Sequence, residues 1–306
     1  MKESLFQKTG LIISQIAQDL LMKKEGDRID SISDYQERFG ASRGTIQNAL
    51  QFLKEDSAIE LRNRGHMGTF IEEINYLVLQ QYSQKNSLVG IMPLPYSKLY
   101  EGLASALYLV LKDSILNFNL AYVRGAESRI DLVVNKVHDF AVCSKHAAMQ
   151  AQHSGAPIKM ILGFGSESYL SKHVLVFGNE KDKKIEDGMR VGVDNNSYDQ
   201  RDLTQIVVGN KEVEYINIHS HQIIQNIQDK TIDVGVWNLD EILEKKYQDI
   251  YVVPIENEAI DEFSEAVIVI HEDANSVGLL LEQYIHVHEI RRIQEEVKNG
   301  IRIPSY

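Results

Sequence analysis

Hydrophobic residues in the first quarter of the chain recur at helical spacing in three segments. This spacing predicts helices over residues 5–24, 33–39 and 42–54. In the third segment, one apolar stripe is formed by Ile46, Ala49, Leu50 and Leu53. Ser42 precedes the stripe and has the side chain of a good N-cap. Residues 58–61 and 69–73 then predict two short strands, joined by a turn that contains two glycines.

The polar positions of the third helix form a distinct outer face, with no acidic residue before Glu55. Its Gln and Asn side chains can read adenine edges, Arg can bind guanine or phosphate, and Gly permits close approach. The segment 61–71 is also free of acids and contains basic side chains suited to phosphate and the minor groove. We therefore predict that double-stranded DNA is bound by Ser42, Arg43, Gly44, Thr45, Gln47, Asn48, Arg62, Arg64, Gly65, His66 and Gly68.

The segment FGASRGTIQNALQFLKEDSAIELRNRGHMGTFI resembles the winged helix-turn-helix domain of the GntR type of bacterial transcription regulators. Its features are Ser42-Arg43 at the helix start, Ala49-Leu50, Leu53 and a wing that closes on Gly68-Thr69-Phe70. The usual Pro-Ser-Glu start of the second helix is replaced by residues 32–35. This departure is closer to the YhfZ-like variant, whose C-terminal domain is similar to a periplasmic-binding-protein module. The resemblance implies an α+β DNA-binding domain over residues 1–74 and a linker over 75–86.

From residue 88 onward, short apolar runs alternate with helical segments. The runs predict strands at 88–94, 118–125, 139–144, 158–164, 173–178, 190–196, 213–218, 233–238, 251–255 and 266–271. The predicted helices include 98–111, 128–136, 199–207, 221–228 and one final helix over 276–298. Strands separated by helices imply parallel sheets with helices on both faces.

This layout is similar to type II periplasmic-binding folds, which also serve as effector domains in LysR-like regulators. We therefore predict a two-lobed α/β periplasmic-binding-like effector domain over residues 87–306. Lobe I would comprise 87–165 and 262–306, and lobe II would comprise 166–261. The chain would cross between the lobes near 163–170 and 254–263.

Ligands of open parallel sheets bind beyond the carboxyl ends of the strands. The candidate ligand-binding residues at these ends are Pro93, Leu94, Pro95, Tyr96, Tyr100, Ser144, Lys145, Gly165, Ser166, Glu167, Asn195, Ser197, Tyr198, Asp199 and Asn238. Hydroxyl groups and free N–H groups in residues 195–200 can hold a carboxylate or phosphate. We therefore favour an anionic metabolite or an amino acid as the effector. The alternative is that these residues are only turns and helix caps.

Composition limits the class of protein. A chain of 306 residues fits two or three domains, and its formal net charge of -12 disfavours general coating of nucleic acid. A small basic surface on one domain stays compatible with that charge. The chain shows no apolar run long enough to span a bilayer and no signal-peptide pattern at its start, so we expect no membrane association. The single cysteine, Cys143, excludes an intramolecular disulfide and favours a cytoplasmic location.

Other chemistry has weaker support. The pairs His219/His221 and His286/His288 have spacing that could suit a metal, but neither has a Cys or acid partner at a recognisable ligand spacing. Cys143 fits either a small buried residue or a reactive thiol. Residues 163–165 (GFG) lack a nucleotide-binding fingerprint, and no catalytic motif is visible. We expect no enzymatic activity, no metal and no cofactor.

The leading hypothesis is a homodimeric, ligand-responsive transcription regulator, with repression favoured over activation because of the resemblance. Ligand would close the two lobes and change the spacing or freedom of the paired DNA-binding domains. One alternative is a solute-binding or enzymatic module with an accessory N-terminal domain. Another is an N-terminal domain that mediates protein association.

Overall fold

The computed structural model describes residues 2–83, 87–112, 117–255 and 261–306. The chain forms two compact units. The first unit consists of Met1–Leu88, Leu111–Asn119 and Ala274–Tyr284, and the second of Val89–Val110, Leu120–Asp273 and Ile285–Tyr306. These units divide the chain differently from the domain ranges predicted above, which remain predictions. Residues 84–86 of the predicted linker lie outside the described residues.

Three helices open the first unit: α1 (Lys2–Leu20), α2 (Ile32–Phe39) and α3 (Arg43–Glu55). A capping box of Ser31 and Asp34 starts α2, and Gly40 ends it in the left-handed conformation. Ser42 caps α3 as predicted, accepting a hydrogen bond from the Thr45 backbone N–H at 3.2 Å. The helices pack around a shared apolar core that includes Ile16, Ile46 and Leu53.

The first helix was predicted to extend to residue 24, and this is wrong. It ends at Leu20 because the following segment pairs with the wing instead of continuing the helix. The Gly26 N–H donates to the Ile71 carbonyl, and the Ile71 N–H donates to the Asp27 carbonyl, each at 2.9 Å. Residues 26–29 therefore run alongside the second strand of the wing and hydrogen-bond to its backbone.

The wing consists of the antiparallel strands β1 (Ile59–Asn63) and β2 (Thr69–Ile74), joined by a 3-10 turn over Gly65–Met67. Gly65 and Gly68 have φ angles of 62° and 99°, which favour glycine because it has no Cβ. Helix α4 (Tyr76–Tyr82) follows, capped by the Asn75 side chain. The predicted linker thus starts as a helix, and its Leu79 joins the core of the three preceding helices.

Within the described ranges, ten strands build the remaining α/β structure. They are β3 (Leu88–Met92), β4 (Phe118–Tyr122), β5 (Phe140–Ser144), β6 (Ile158–Gly163), β7 (His173–Phe177), β8 (Arg190–Val193), β9 (Glu214–Asn217), β10 (Val234–Asn238), β11 (Tyr251–Pro254) and β12 (Ala266–His271). The helices between and after them are α5 (Lys98–Leu111), α6 (Ala126–Val134), α7 (Lys145–His153), α8 (Tyr198–Val208), α9 (Ile223–Gln228), α10 (Leu239–Lys245), α11 (Asp261–Ser264), α12 (Asn275–Tyr284) and α13 (Val287–Lys298).

The strands form two five-stranded sheets, in the orders β4-β3-β5-β12-β6 and β11-β7-β10-β8-β9. The expectation of purely parallel sheets is wrong. Strand β12 runs antiparallel to β5 and β6, and β7 runs antiparallel to β10 and β11. Each of these two strands is the first one formed after the chain crosses from one sheet to the other. The rule that consecutive strands of one sheet joined by a helix run parallel therefore does not apply to them.

Two helix predictions also need correction. The final helix over 276–298 is two helices, α12 and α13, because Ile285 is buried and His286 adopts an extended backbone with φ -101° and ψ 115°. The helix predicted over 221–228 is α9 preceded by a 3-10 turn at Ser220–Gln222. Among the helices of the described ranges, none is long and apolar enough to cross a membrane.

Candidate functional sites: a recognition surface and an interlobe cleft

The outward side of α3 presents the predicted DNA-contacting side chains. Arg43, Gly44, Gln47 and Asn48 are exposed, whereas Thr45 is half-buried. The Thr45 hydroxyl lies 2.8 Å from the Ser42 hydroxyl, so both belong to the helix cap. Within the described ranges, the side chains of Arg43, Gln47 and Asn48 have no hydrogen-bond or ion-pair partner, which leaves their polar groups available to an external ligand.

The wing adds exposed basic side chains. Arg62 faces Glu72 across the two strands at 3.4 Å, and Arg64 lies over the Phe70 ring with its guanidinium carbon 4.5 Å from the ring centroid. His66 is exposed in the turn between Gly65 and Gly68. An exposed ion pair contributes little to stability, so Arg62 can exchange its partner for a phosphate at small cost.

Sequence reasoning missed Arg28. Its backbone forms an isolated antiparallel bridge with Phe70, and a Cβ at Gly68 would lie 2.7 Å from the Arg28 Nε. The exposed Arg28 side chain therefore passes beside the wing turn and adds a further positive charge there. No local sequence signal shows this, because some forty residues separate Arg28 from its strand partner.

A second candidate site is a cleft of about 540 Å³ between the two sheets of the second unit. Its lining includes the predicted residues Pro93, Leu94, Tyr96, Tyr100, Ser197, Asp199 and Asn238. Lining residues that sequence reasoning did not select include Arg124, Arg129, Tyr169, His173, Asp194, Gln200, His219, Ser220, His221 and Trp237. The carboxyl ends of β3, β8 and β10 lead into this cleft, as the general rule for open sheets requires.

Arg129 is the most buried charged side chain of the cleft, with 2% exposure. Its guanidinium donates to three neutral acceptors: the Val142 carbonyl at 3.0 Å, the Val123 carbonyl at 2.8 Å and the Tyr169 hydroxyl at 2.8 Å. No carboxylate among the described residues lies within ion-pair distance of it. The buried Asp199 of the same lining acts on Arg129 electrostatically but does not pair with it directly, so the guanidinium remains a candidate to bind an anion.

Tyrosine rings pack beside Arg129. The Tyr100 ring contacts both the Tyr96 ring and the Tyr169 ring edge to face, with centroid separations of 5.0 Å and 5.2 Å. Burial raises the pKa of Tyr100 well above its ordinary value, so its hydroxyl remains protonated at neutral pH. The result is an aromatic wall whose hydroxyl groups already contact one another and Arg129.

Several predicted ligand residues lie elsewhere. Lys145 forms an ion pair with Glu265 at 3.1 Å, and the Gly165 N–H donates to the same carboxylate at 3.3 Å. The carbonyls of Ser166 and Glu167 accept from the Arg291 guanidinium at 3.4 Å and 3.1 Å. These four residues stabilise the first passage between the sheets and are not part of the cleft lining. Pro95 is also outside the lining, and Asn195 lines a separate surface depression with Tyr215.

Ser144 and Tyr198 are likewise outside the lining and help to join the two sheets. The Ser144 hydroxyl donates to the Asp199 carboxylate at 2.6 Å, and Tyr198 packs against the apolar core of the first sheet. On the same side, His146 contacts Asp202 at 2.8 Å. Helices α7 and α8 therefore bring the two lobes together beside the cleft.

Burial raises the pKa of Asp199 to about 6, although the Ser144 hydrogen bond opposes this shift. The folded state binds this proton more tightly than the unfolded state does. The contribution of Asp199 to stability is therefore full below about pH 4, the ordinary range of an aspartate, and is lost as pH rises through its folded pKa.

We expect Asp199→Asn to remove part of the decrease in unfolding free energy between about pH 4 and pH 6. Asn keeps an oxygen that can accept the Ser144 hydroxyl, so the contact survives. Urea unfolding at several pH values measures the effect, with the exposed Asp249→Asn as the control. An Asp199→Asn variant with the wild-type pH profile would contradict this assignment.

Two further buried groups have shifted pKa values, and the four predicted histidines can now be placed. Burial lowers the pKa of His173 to about 4, so its imidazole is neutral at physiological pH. Burial raises the pKa of Cys143 to about 12, which favours a packing role over a reactive thiol. His219 and His221 stack at the cleft with ring centroids 5.8 Å apart, and His286 and His288 are exposed around the start of α13. Within the described part of the chain, no group of three or more His, Cys, Asp or Glu residues could hold a metal ion.

The fold defines a class: an N-terminal helix-turn-helix domain followed by a two-sheet α/β domain that resembles periplasmic-binding protein folds. Residues 24–71 match the helix-turn-helix domain family HTH_41, and residues 75–306 match the YhfZ C-terminal domain family. The chain belongs to the YhfZ family. The GntR subtype of the N-terminal domain stays a prediction.

Relatives support this assignment along the whole chain. The Escherichia coli (strain K12) protein YhfZ is 30% identical over 307 residues, covering 100% of both chains. The crystal structure of YhfZ from Shigella flexneri is 29% identical, with a TM-score of 0.62, and covers 74% of this chain and 96% of that one. The substrate-binding protein of a methionine transporter from Streptococcus pneumoniae matches with a TM-score of 0.50 at 14% identity, covering 72% and 96%. The last similarity shows the fold alone.

Proposed function

We propose that the chain is a transcription regulator whose N-terminal domain binds operator DNA and whose cleft holds a small-molecule effector that modulates this binding. The observation that carries the proposal is the outward side of α3. Its exposed Arg43, Gln47 and Asn48 have no partner among the described residues, and no acid precedes Glu55. Unpaired Arg, Gln and Asn side chains with no acid beside them suit contacts with base edges and phosphates. A helix face that only meets solvent has no need of this composition.

The charge of the whole chain strengthens the argument for a localised site. A net charge of -12 opposes general attraction to DNA, so the basic wing and α3 must supply the attraction. Arg28, Arg62, Arg64 and His66 are all exposed around the wing. A basic wing beside a polar recognition helix is the arrangement that phosphate and groove contacts need.

The finer features of the proposal rest on the resemblance stated above. We propose a GntR-like subtype, a cytoplasmic location, a homodimer that binds two related half-sites, and repression as the mode of action. For the effector, an anionic metabolite or an amino acid is favoured because Arg129 is buried in the cleft without a carboxylate partner. Effector binding can shift DNA affinity only through different affinities for two states of the protein.

One alternative keeps the cleft but changes its role. A cleft with buried polar side chains would also suit a solute-binding or enzymatic module with an accessory N-terminal domain. Turnover of a bound compound by the purified protein would favour this alternative over an effector site. Association of the N-terminal domain with another protein instead of DNA is a further alternative, which the acid-free surface of α3 disfavours.

The proposal predicts that Gln47→Ala combined with Asn48→Ala removes sequence preference. We expect the ratio of affinities for the gene's own upstream DNA and a scrambled duplex to fall by roughly 30-fold or more, since each base contact discriminates by about 1–3 kcal/mol. Affinity for the scrambled duplex should stay near the wild-type value, because phosphate contacts remain. Binding titrations at fixed salt on both duplexes measure this ratio.

The matched control is Gln205→Ala combined with Asn210→Ala, which removes the same two side-chain types from the second unit. This control should bind both duplexes as the wild type does. Wild-type protein that fails to prefer any fragment of its own upstream DNA would contradict the function. A double α3 variant that keeps the full preference would contradict the assigned surface.

A further inference from the structure

Four buried side chains of the cleft have a polar atom without a hydrogen-bond partner among the described residues. They are His173, Gln200, Trp237 and Asn238, each at least nine-tenths buried. A buried polar group left unpaired costs about 1–3 kcal/mol. Four such groups converging on one cleft, beside a buried arginine, indicate a ligand that pairs with them.

The neighbouring contacts fix which atom of each amide is left unpaired. The Asn238 Oδ1 accepts the Asp240 N–H at 2.8 Å as a helix cap, so its free atom is the Nδ2 donor. This donor is close to the Tyr96 hydroxyl but does not form a hydrogen bond of ordinary geometry with it. The Gln200 Nε2 donates to the Val236 carbonyl at 3.1 Å, so its free atom is the Oε1 acceptor.

The other two free atoms add donor capacity. The Trp237 Nε1 can only donate, and the His173 Nδ1 belongs to a neutral imidazole that donates or accepts according to its tautomer. Arg129 uses its Nε and one N–H on each terminal nitrogen, so one N–H on each terminal nitrogen has no acceptor among the described residues. Together with Arg129, the unpaired atoms of these side chains are mainly donors, with the Gln200 Oε1 as the one fixed acceptor among them. The same lining also holds the carboxylates of Glu127, Asp131, Asp194 and Asp199, which can accept from a donor group of the ligand.

We infer that the effector of the proposed function is a small carboxylic acid that carries a neighbouring hydrogen-bond donor, either a hydroxyl or an ammonium group. The carboxylate takes the donors of Arg129, Trp237 and Asn238. The hydroxyl or ammonium group donates to the Gln200 Oε1. The tyrosine wall of Tyr96, Tyr100 and Tyr169 covers the remaining apolar part of the molecule.

Matched trios of compounds test this inference by thermal shift and calorimetry on the full chain. Each trio contains an unsubstituted acid with its 2-hydroxy and 2-amino derivatives: propanoate, lactate and alanine; 3-phenylpropanoate, 3-phenyllactate and phenylalanine; butanedioate, malate and aspartate. Inorganic phosphate and sulfate complete the panel. We expect a hydroxy or amino member of one trio to bind at least 10-fold more tightly than its unsubstituted acid. Tighter binding of the hydroxy member would identify the donor of the ligand as a hydroxyl group, and tighter binding of the amino member would identify it as an ammonium group.

Asn238→Asp is the decisive variant, because Asp keeps the oxygen that caps α10 and places a carboxylate oxygen where the Nδ2 donor was. We expect it to fold and to bind the compound at least 10-fold more weakly. Asn210→Asp, an exposed residue outside the cleft, adds the same charge and should bind as the wild type does. Trp237→Phe removes one donor while keeping an aromatic ring, although a smaller one, and should weaken binding more modestly.

Four results would overturn the inference: no shift from any trio, equal binding of the unsubstituted acid, binding of phosphate or sulfate without any carboxylate, or wild-type affinity in Asn238→Asp. None of these affects the DNA titrations above. Failure of the inferred ligand class with intact DNA recognition therefore stays distinguishable from failure of the proposed regulator.

Discussion

We expect replacement of both Arg43 and Arg64 by Ala to lower affinity for the upstream DNA by roughly 100-fold, at about 1–3 kcal/mol for each lost arginine contact. Arg43 lies at the start of α3, and Arg64 lies on the wing over Phe70. The double substitution thus tests the recognition helix and the wing together. The slope of log affinity against log salt should also become less steep by about two, because two phosphate-neutralising charges are lost.

The control for this pair is Lys211→Ala, which removes a positive charge from an exposed position of the second unit. It should leave both the affinity and the salt slope unchanged. Arg43 has no partner among the described residues, and the contact of Arg64 with Phe70 is worth only about 0.5–1 kcal/mol, so the fold should persist. A double variant with the wild-type salt slope would show that DNA binds elsewhere.

Gly90→Val should destabilise the second unit by about 3 kcal/mol or more, since overpacking of this kind cannot relax. Gly90 of β3 pairs directly with Phe140 of the neighbouring parallel strand β5. A Cβ at this position would lie 2.2 Å from the Phe140 Cζ and 2.7 Å from both Cε atoms. Phe140 is fully buried, so its ring cannot turn out into solvent and could move only by displacing its core neighbours.

Fluorescence during urea unfolding measures this effect, because Trp237 is the single tryptophan of the chain and belongs to the second unit. The midpoint should fall markedly in Gly90→Val. Gly10→Val is the control, since nothing lies within 4 Å of a Cβ there and Val is a better helix residue than Gly. An unchanged tryptophan midpoint in Gly90→Val would contradict the packing of β3 on β5.

The elements of this fold were largely predictable because their signals are local. Each of the ten apolar runs is a strand, and the fully buried β12 shows why: a strand covered on both faces reads as a continuous hydrophobic run. The recognition helix was predicted to within one residue, since its cap, stripe and polar face lie within one short segment.

Strand direction and helix breaks were not predictable in the same way. The hydrophobic run of β7 has no feature that shows antiparallel pairing with β10 and β11, because direction depends on where the chain re-enters the sheet. The break at His286 was missed since apolar residues continue at helical spacing on both sides of it.

The cleft was only partly predictable for a related reason. Asp199 and Asn238 were selected because they lie at or just beyond the carboxyl ends of strands, and Tyr100 because it lies one helical turn beyond such a segment. Arg129 was missed because it lies within a helix, where an arginine is ordinarily a solvated surface residue. Its burial depends on carbonyls of Val123 and Val142, which only the folded sheet brings to it.

We propose that occupancy of the cleft controls DNA binding. The direct measurement is the affinity of the full chain for its upstream DNA with and without the carboxylate that gives the largest thermal shift. We predict a change of at least about 5-fold in the wild type, the lower end of typical allosteric coupling, and no change in Asn238→Asp. Equal DNA affinity of the free and the ligand-saturated wild type would contradict the account.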